Sequence, residues 1–158
     1  MNTNPVNDFL KKIFGNHAFL ENLKDSLNDM SLKESKAKTE AQSIKAIINN
    51  IKEEFEEVEI AQSIKFDGNF KIKIAIEVEE TIGIDVKMAK SLANSAVNAQ
   101  KLIGQLVWLK ANRYNTHLFL AIVGDKDSAQ APLIQELTNF LESMKINVYY
   151  IEILKENT

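Results

Sequence analysis

Cysteine is absent from the 158 residues. That removes disulfides, thiol nucleophiles and thiolate metal sites together. Histidine is scarce, and His17 and His117 stand too far apart to form a zinc-binding HExxH helix. Two prolines and five glycines exclude a collagen-like or low-complexity chain. No stretch approaches the ~18 uninterrupted apolar residues of a membrane span. The first residues, MNTNPVNDFL, carry neither the basic start nor the apolar run of a signal peptide. A cytoplasmic protein without a membrane partner is expected. Arginine occurs once, as Arg113. Arginine is the usual bidentate reader of guanine edges, so heavy base readout by a single chain is disfavoured.

What is present is ordinary for a folded protein: 45% hydrophobic, 26% charged and 8% aromatic residues. Lysine supplies nearly all of the 19 basic residues, set against 22 acidic ones for a net charge of -3. Lysines can still hold phosphates. The length suits one globular domain, here divided into an N-terminal helical extension at 1–30 and an α/β domain at 31–158.

The spacing of Val6, Phe9, Leu10 and Ile13, with Gly15 as a stop, predicts a short helix. Phe19, Leu20, Leu23 and Leu27 predict another. Ser31 and Glu34 have the form of a capping box. Behind them Ala37, Ala41, Ile44, Ile48, Ile51 and Phe55 predict a long helix over 32–55. The period then changes to two. Strands are expected at 58–66 and 70–79 around the Asp67-Gly68-Asn69 turn. A third follows at 84–88, after a turn at 80–83. Met88, Leu92, Ala96, Ala99, Ile103, Leu106 and Leu109 return to helical spacing. A buried strand at 116–123, a helix opened by Pro132 and a last strand at 146–153 complete the order α-β-β-β-α-β-α-β. This is an α/β domain with a mixed sheet and helices on both faces.

With even positions facing the core, Glu77, Glu79, Asp85 and Lys87 crowd one end of one sheet face. The short turn sets Glu77 opposite Asp85 or Lys87, and a three-residue loop at 67–69 pairs Glu59 with Glu77 and Glu57 with Glu79. Opposed like charges in a sheet cost ~0.2–1 kcal/mol. Such a cluster suits Mg²⁺, which takes one or two carboxylates and keeps waters and phosphate oxygens. A solvated sheet edge accounts for the same glutamates without any metal. On the next helix Ser91, Asn94, Asn98, Lys101 and Gln105 share a polar face able to meet phosphate and sugar oxygens.

Three segments then stand in a meaningful order: Thr39-Glu40-Ala41-Gln42, Ile84-Asp85-Val86-Lys87 and Ile103-Gly104-Gln105-Leu106-Val107-Trp108. Over 32–124 the chain resembles the PD-(D/E)XK nuclease superfamily. The resemblance implies a restriction-endonuclease-like α-β-β-β-α-β core, with accessory helices before it and an α-β unit after it. It implies metal-dependent hydrolysis of DNA, in defence, repair or mobile-element biology, by a homodimer or beside a partner subunit. Mg²⁺ or Mn²⁺ would be held by Glu77 and Asp85, with Glu79 as substitute. Lys87 would orient the attacking water or offset charge on phosphorus, Gln105 would position a phosphate or the lysine, and Glu40 would assist from the preceding helix.

The chain departs from the family in having no Pro-Asp before the third strand. Asp67 is a second candidate for the first acid, although an unbroken strand would hold it ~30 Å from Glu77 at ~3.3 Å per residue. A rival frame takes Glu77-Val-Glu79 as the half-motif and Glu59 as the first acid. The missing acid also fits a nuclease fold without catalysis, serving as a nucleic-acid or protein interaction module.

Overall fold

The computed structural model describes residues 5–156, with side chains from 17 onward. Its elements are α1 (Pro5–Asp29), β1 (Ser31–Lys33), α2 (Glu40–Glu54), β2 (Ile60–Phe66), β3 (Ile72–Val78), β4 (Ile82–Met88), α3 (Ala89–Ala93), α4 (Ala96–Asn112), β5 (Leu118–Gly124), α5 (Pro132–Ser143) and β6 (Asn147–Leu154). Short 3-10 turns occupy Glu34–Lys36 and Ser128–Gln130. The six strands form one mixed sheet in the order β1-β6-β5-β4-β3-β2. β4, β5, β6 and β1 run parallel, while β2 and β3 are antiparallel additions beside β4.

Helices cover both faces of this α/β sheet. Leu23 and Leu27 of α1 pack with Ile47 and Ile51 of α2 against Ile76, Ile84 and Val86. On the other face Leu92, Leu102, Leu106, Ile134 and Leu141 pack against Leu118, Leu120 and Ile122. Each such side chain, fully buried, contributes about 1.5–3 kcal/mol. β5 is buried along its whole length, which is why its sequence is apolar at both parities.

Several expectations need correction. α1 is one helix running through Gly15, although the side chains of Val6, Phe9, Leu10 and Ile13 lie outside the described residues. Ser31 and Glu34 are not a capping box. Leu32 is drawn into the core as a strand residue, because β6 offers its edge to residues 31–33. The α2 cap is Thr39, whose side chain accepts the Gln42 amide at 3.1 Å. The helix expected to run on from Met88 breaks at Asn94, and Ser95 caps a fresh start by accepting the Asn98 amide.

The register of the antiparallel strands also differs. Val78 pairs with Ile82, so the turn is only 79–81, with Glu79 and Glu80 at φ 53° and 61°. This early turn sets Glu77 opposite Gly83, not Asp85 or Lys87. Across the other hairpin Phe66 pairs with Ile72, so the loop spans 67–71 and Glu77 meets Ala61 in place of Glu59. The side-chain alternation of β3 slips by one residue: Ile74 joins the α4-side core, while Ala75 and Ile76 both join the α2-side core.

Candidate active site at the end of the fourth strand

The site is assembled from three elements. β4 delivers Asp85 and Lys87, α2 delivers Glu40 from its first turn, and α4 delivers Gln105. Lys87 Nζ lies 3.6 Å from Glu40 Oε1, with both side chains partly exposed. They line a cleft of about 280 Å³ with Ser91, Asn98, Lys101 and Gln105. Four of the five residues expected on the α4-side polar face therefore reach the same hollow as the lysine. Part of that face holds itself together. Asn98 Nδ2 donates to the Ser91 carbonyl at 2.8 Å, and Ser91 Oγ donates to the Met88 carbonyl at 2.9 Å.

Asp85, two residues before Lys87 on β4, is buried at 2% exposure. Its Oδ2 is buried and has no hydrogen-bond partner. Burial pushes its carboxyl from 3.8 up to about 6, and the Glu40 charge adds to the rise. The Lys87 ammonium and the backbone amides of Val86 and Ala75 pull the other way. A strand position flanked by Ile84 and Val86 would ordinarily be apolar. A buried carboxylate with an open oxygen opposes folding, and such perturbed groups gather at functional sites.

Gln105 Nε2 donates to the Lys73 carbonyl at 2.7 Å, tying α4 to β3.

The other acids go elsewhere. The Glu77 carboxylate accepts the Tyr114 hydroxyl, and burial of Tyr114 together with Glu77 raises the phenol well above its usual range. Glu79 Oε1 accepts the Glu59 amide at 3.2 Å, closing the end of the β2–β3 hairpin. Asp67 sits exposed in the 67–71 loop. The acidic cluster anticipated from strand parity is thus dispersed, and the charges that act on Asp85 are those of Lys87 and Glu40. On β3 the Ala75 amide reaches Asp85, and residues 73–75 carry no acid. Among the described residues no three His, Cys, Asp or Glu side chains gather in a way that could hold a metal. Nor is any described helix long and apolar enough to cross a membrane.

The lone arginine is part of the fold. Its guanidinium stacks over Phe66, 4.4 Å from the ring centroid, beside Trp108 and Tyr114. The partnership of Tyr114 with Glu77 had no signal in the sequence, because it depends on where α4 ends over Gly83. No protein-family model and no curated protein matches this chain.

Proposed function

We propose that the chain is a metal-dependent phosphodiesterase of the PD-(D/E)XK kind, acting on DNA. The observation that carries this reading is Asp85: a buried carboxylate with an unpartnered oxygen, two residues before a lysine and facing the charge of Glu40. The succession of α2, β2, β3, β4, α4 and β5 fits a restriction-endonuclease-like core. The pairing of Glu40, Asp85, Lys87 and Gln105 in one place fits the motifs quoted for that superfamily.

The residues present fit a hard divalent cation. Mg²⁺ accepts one or two carboxylates and fills its remaining positions with waters and phosphate oxygens. Glu40 and Asp85 would hold Mg²⁺ or Mn²⁺; Glu77 and Glu79 are engaged at the Tyr114 and Glu59 contacts. When bound, the ion supplies a more acidic water and offsets charge on the phosphate. The chain's own groups do the rest. Lys87 brings a positive charge to the attacked phosphate and orients the water. Gln105, which lines the same cleft, would position the lysine. Asp85 stays ionised above about pH 6. A homodimer, or a partner subunit, would pool lysines around a strand that one chain of net charge -3 grips weakly. The reading carries with it a cytoplasmic location.

The test is cleavage of plasmid and single-stranded DNA with Mg²⁺ or Mn²⁺, repeated with Asp85→Ala and Lys87→Ala. Both substitutions should abolish cutting. Activity that survives both ends this reading. A second reading is favoured by the absence of an acid at Lys73, Ile74 and Ala75 of β3: a nuclease-fold module that binds nucleic acid or protein without cutting. It predicts no cleavage by the unaltered protein and no heat of Mg²⁺ binding in calorimetry.

A further inference from the structure

A second cleft, of about 250 Å³, opens where the parallel strands β4, β5 and β6 end. Three elements send a lysine into it: Lys38 ahead of α2, Lys90 on α3 and Lys155 after β6. Two acids also line it, Glu34 and Asp125. The Asp125 Oδ1 accepts the Ser128 amide at 2.7 Å and closes the loop after β5, and its charge lies within reach of Lys155 and Lys90, so the three lysines outnumber the two acids around the hollow. The ion pairs formed among the described residues, Lys24–Glu21 and Lys87–Glu40, involve none of the three lysines.

The placement of this cleft is specific. The chain passes from one hollow to the other at three points: Lys38 and Glu40, Met88 and Lys87, Lys90 and Ser91 line the second and the first respectively. The two clefts are therefore neighbours along the same edge of the sheet. Flexible ammonium groups around a hollow hold phosphate oxygens as point charges, without reading a base.

We propose that Lys38, Lys90 and Lys155 hold a backbone phosphate flanking the one attacked at Lys87, so that the substrate is a polynucleotide strand and not an isolated diester. This rests on the hydrolase reading for the identity of its neighbour, but it is tested without turnover. Binding of a labelled single-stranded oligonucleotide is followed by fluorescence anisotropy in EDTA, at salt concentrations from about 50 to 200 mM. Each phosphate neutralised on a single strand contributes ~0.7 to the slope of log K against log salt.

The variant K38Q/K90Q/K155Q should bind about tenfold more weakly at the lower salt and lose at least ~0.7 of that slope. K38R/K90R/K155R should retain both, which separates charge from folding. The control is K33Q/K36Q/K45Q, three lysines of a larger hollow between β1 and α2 that draws nothing from β4 or α3. It should bind like the unaltered protein. An unchanged slope in the first variant, or an equal loss in the control, overturns the proposal. Failure of the unaltered protein to cut DNA in Mg²⁺ overturns only the hydrolase reading, and a lost slope in EDTA would then still locate the phosphate.

Discussion

Replacing Asp85 by Asn should remove a pH-dependent burden on folding. In the folded chain the Asp85 carboxyl titrates at about 6, raised from 3.8 by burial. Between those values the folded state keeps a proton that the unfolded state has lost, so stability falls as pH rises through the window. Below about pH 3 both states are protonated and nothing is lost. Above about pH 6 the penalty is complete, and the interval corresponds to about 3 kcal/mol at 1.36 kcal/mol per pKa unit. The substituted amide never ionises and escapes this penalty. It brings a cost of its own, since it meets the unpartnered surroundings of Oδ2, and an unsatisfied buried group costs about 1–3 kcal/mol. That cost does not vary with pH. The signature is therefore the change in ΔΔG between pH 3 and pH 7.5, expected near 3 kcal/mol in favour of Asp85→Asn at the higher pH. Urea denaturation in EDTA at four or five pH values measures it. A ΔΔG that stays flat, or one that favours Asp85 at neutral pH, refutes the account of a desolvated, uncompensated carboxylate.

Added Mg²⁺ should raise the stability of the unaltered protein at pH 7.5, by about 2.7 kcal/mol when the ion stands at a hundred times its Kd, and should leave Asp85→Asn unmoved. A thermal melt with and without the ion decides this. Tyr114→Phe takes the hydroxyl from the half-buried Glu77 carboxylate and should cost about 1–3 kcal/mol in urea denaturation. Gly83→Ala places a Cβ 2.7 Å from the Tyr114 ring and should cost about 1–3 kcal/mol by overpacking, read from the same urea curves. Thr39→Ala removes the α2 cap, for about 0.5–2 kcal/mol, and should lower cleavage along with stability because Glu40 is the next residue.

The succession of elements was legible because each announces its own period. Ile74, Ile76 and Val78 alternate, whereas Leu102, Leu106 and Leu109 recur at helical spacing. The convergence of Glu40, Lys87 and Gln105 was legible as well, since the start of α2, the end of β4 and one face of α4 meet at one hollow. The position of Glu77 differs from that expected by strand parity for a local reason. Assigning Glu77 required the register of β3 on β4, and register depends on the turn. Glu79 and Glu80 take positive φ in a turn that sequence reasoning placed one residue later, at a glycine. That small error moved Glu77 from Asp85 to Gly83. A second slip, at Ala75–Ile76, carries no mark in the alternating sequence at all. The lysines at 38, 90 and 155 were invisible for another reason: they meet only because β1, β4, β5 and β6 end at one edge.

Ser63, in the middle of the outermost strand β2, adopts φ 56°, and its Cα has no partner in the otherwise regular ladder to β3. The outer rim of the sheet therefore departs from a straight template halfway along. An extended segment from a neighbouring molecule trying to dock there would find its hydrogen-bonding groups interrupted after two or three residues, flanked by the polar Gln62 and Lys65. At the opposite rim β1 offers only three residues. Neither border invites the sheet to grow by pairing its backbone with a neighbouring molecule.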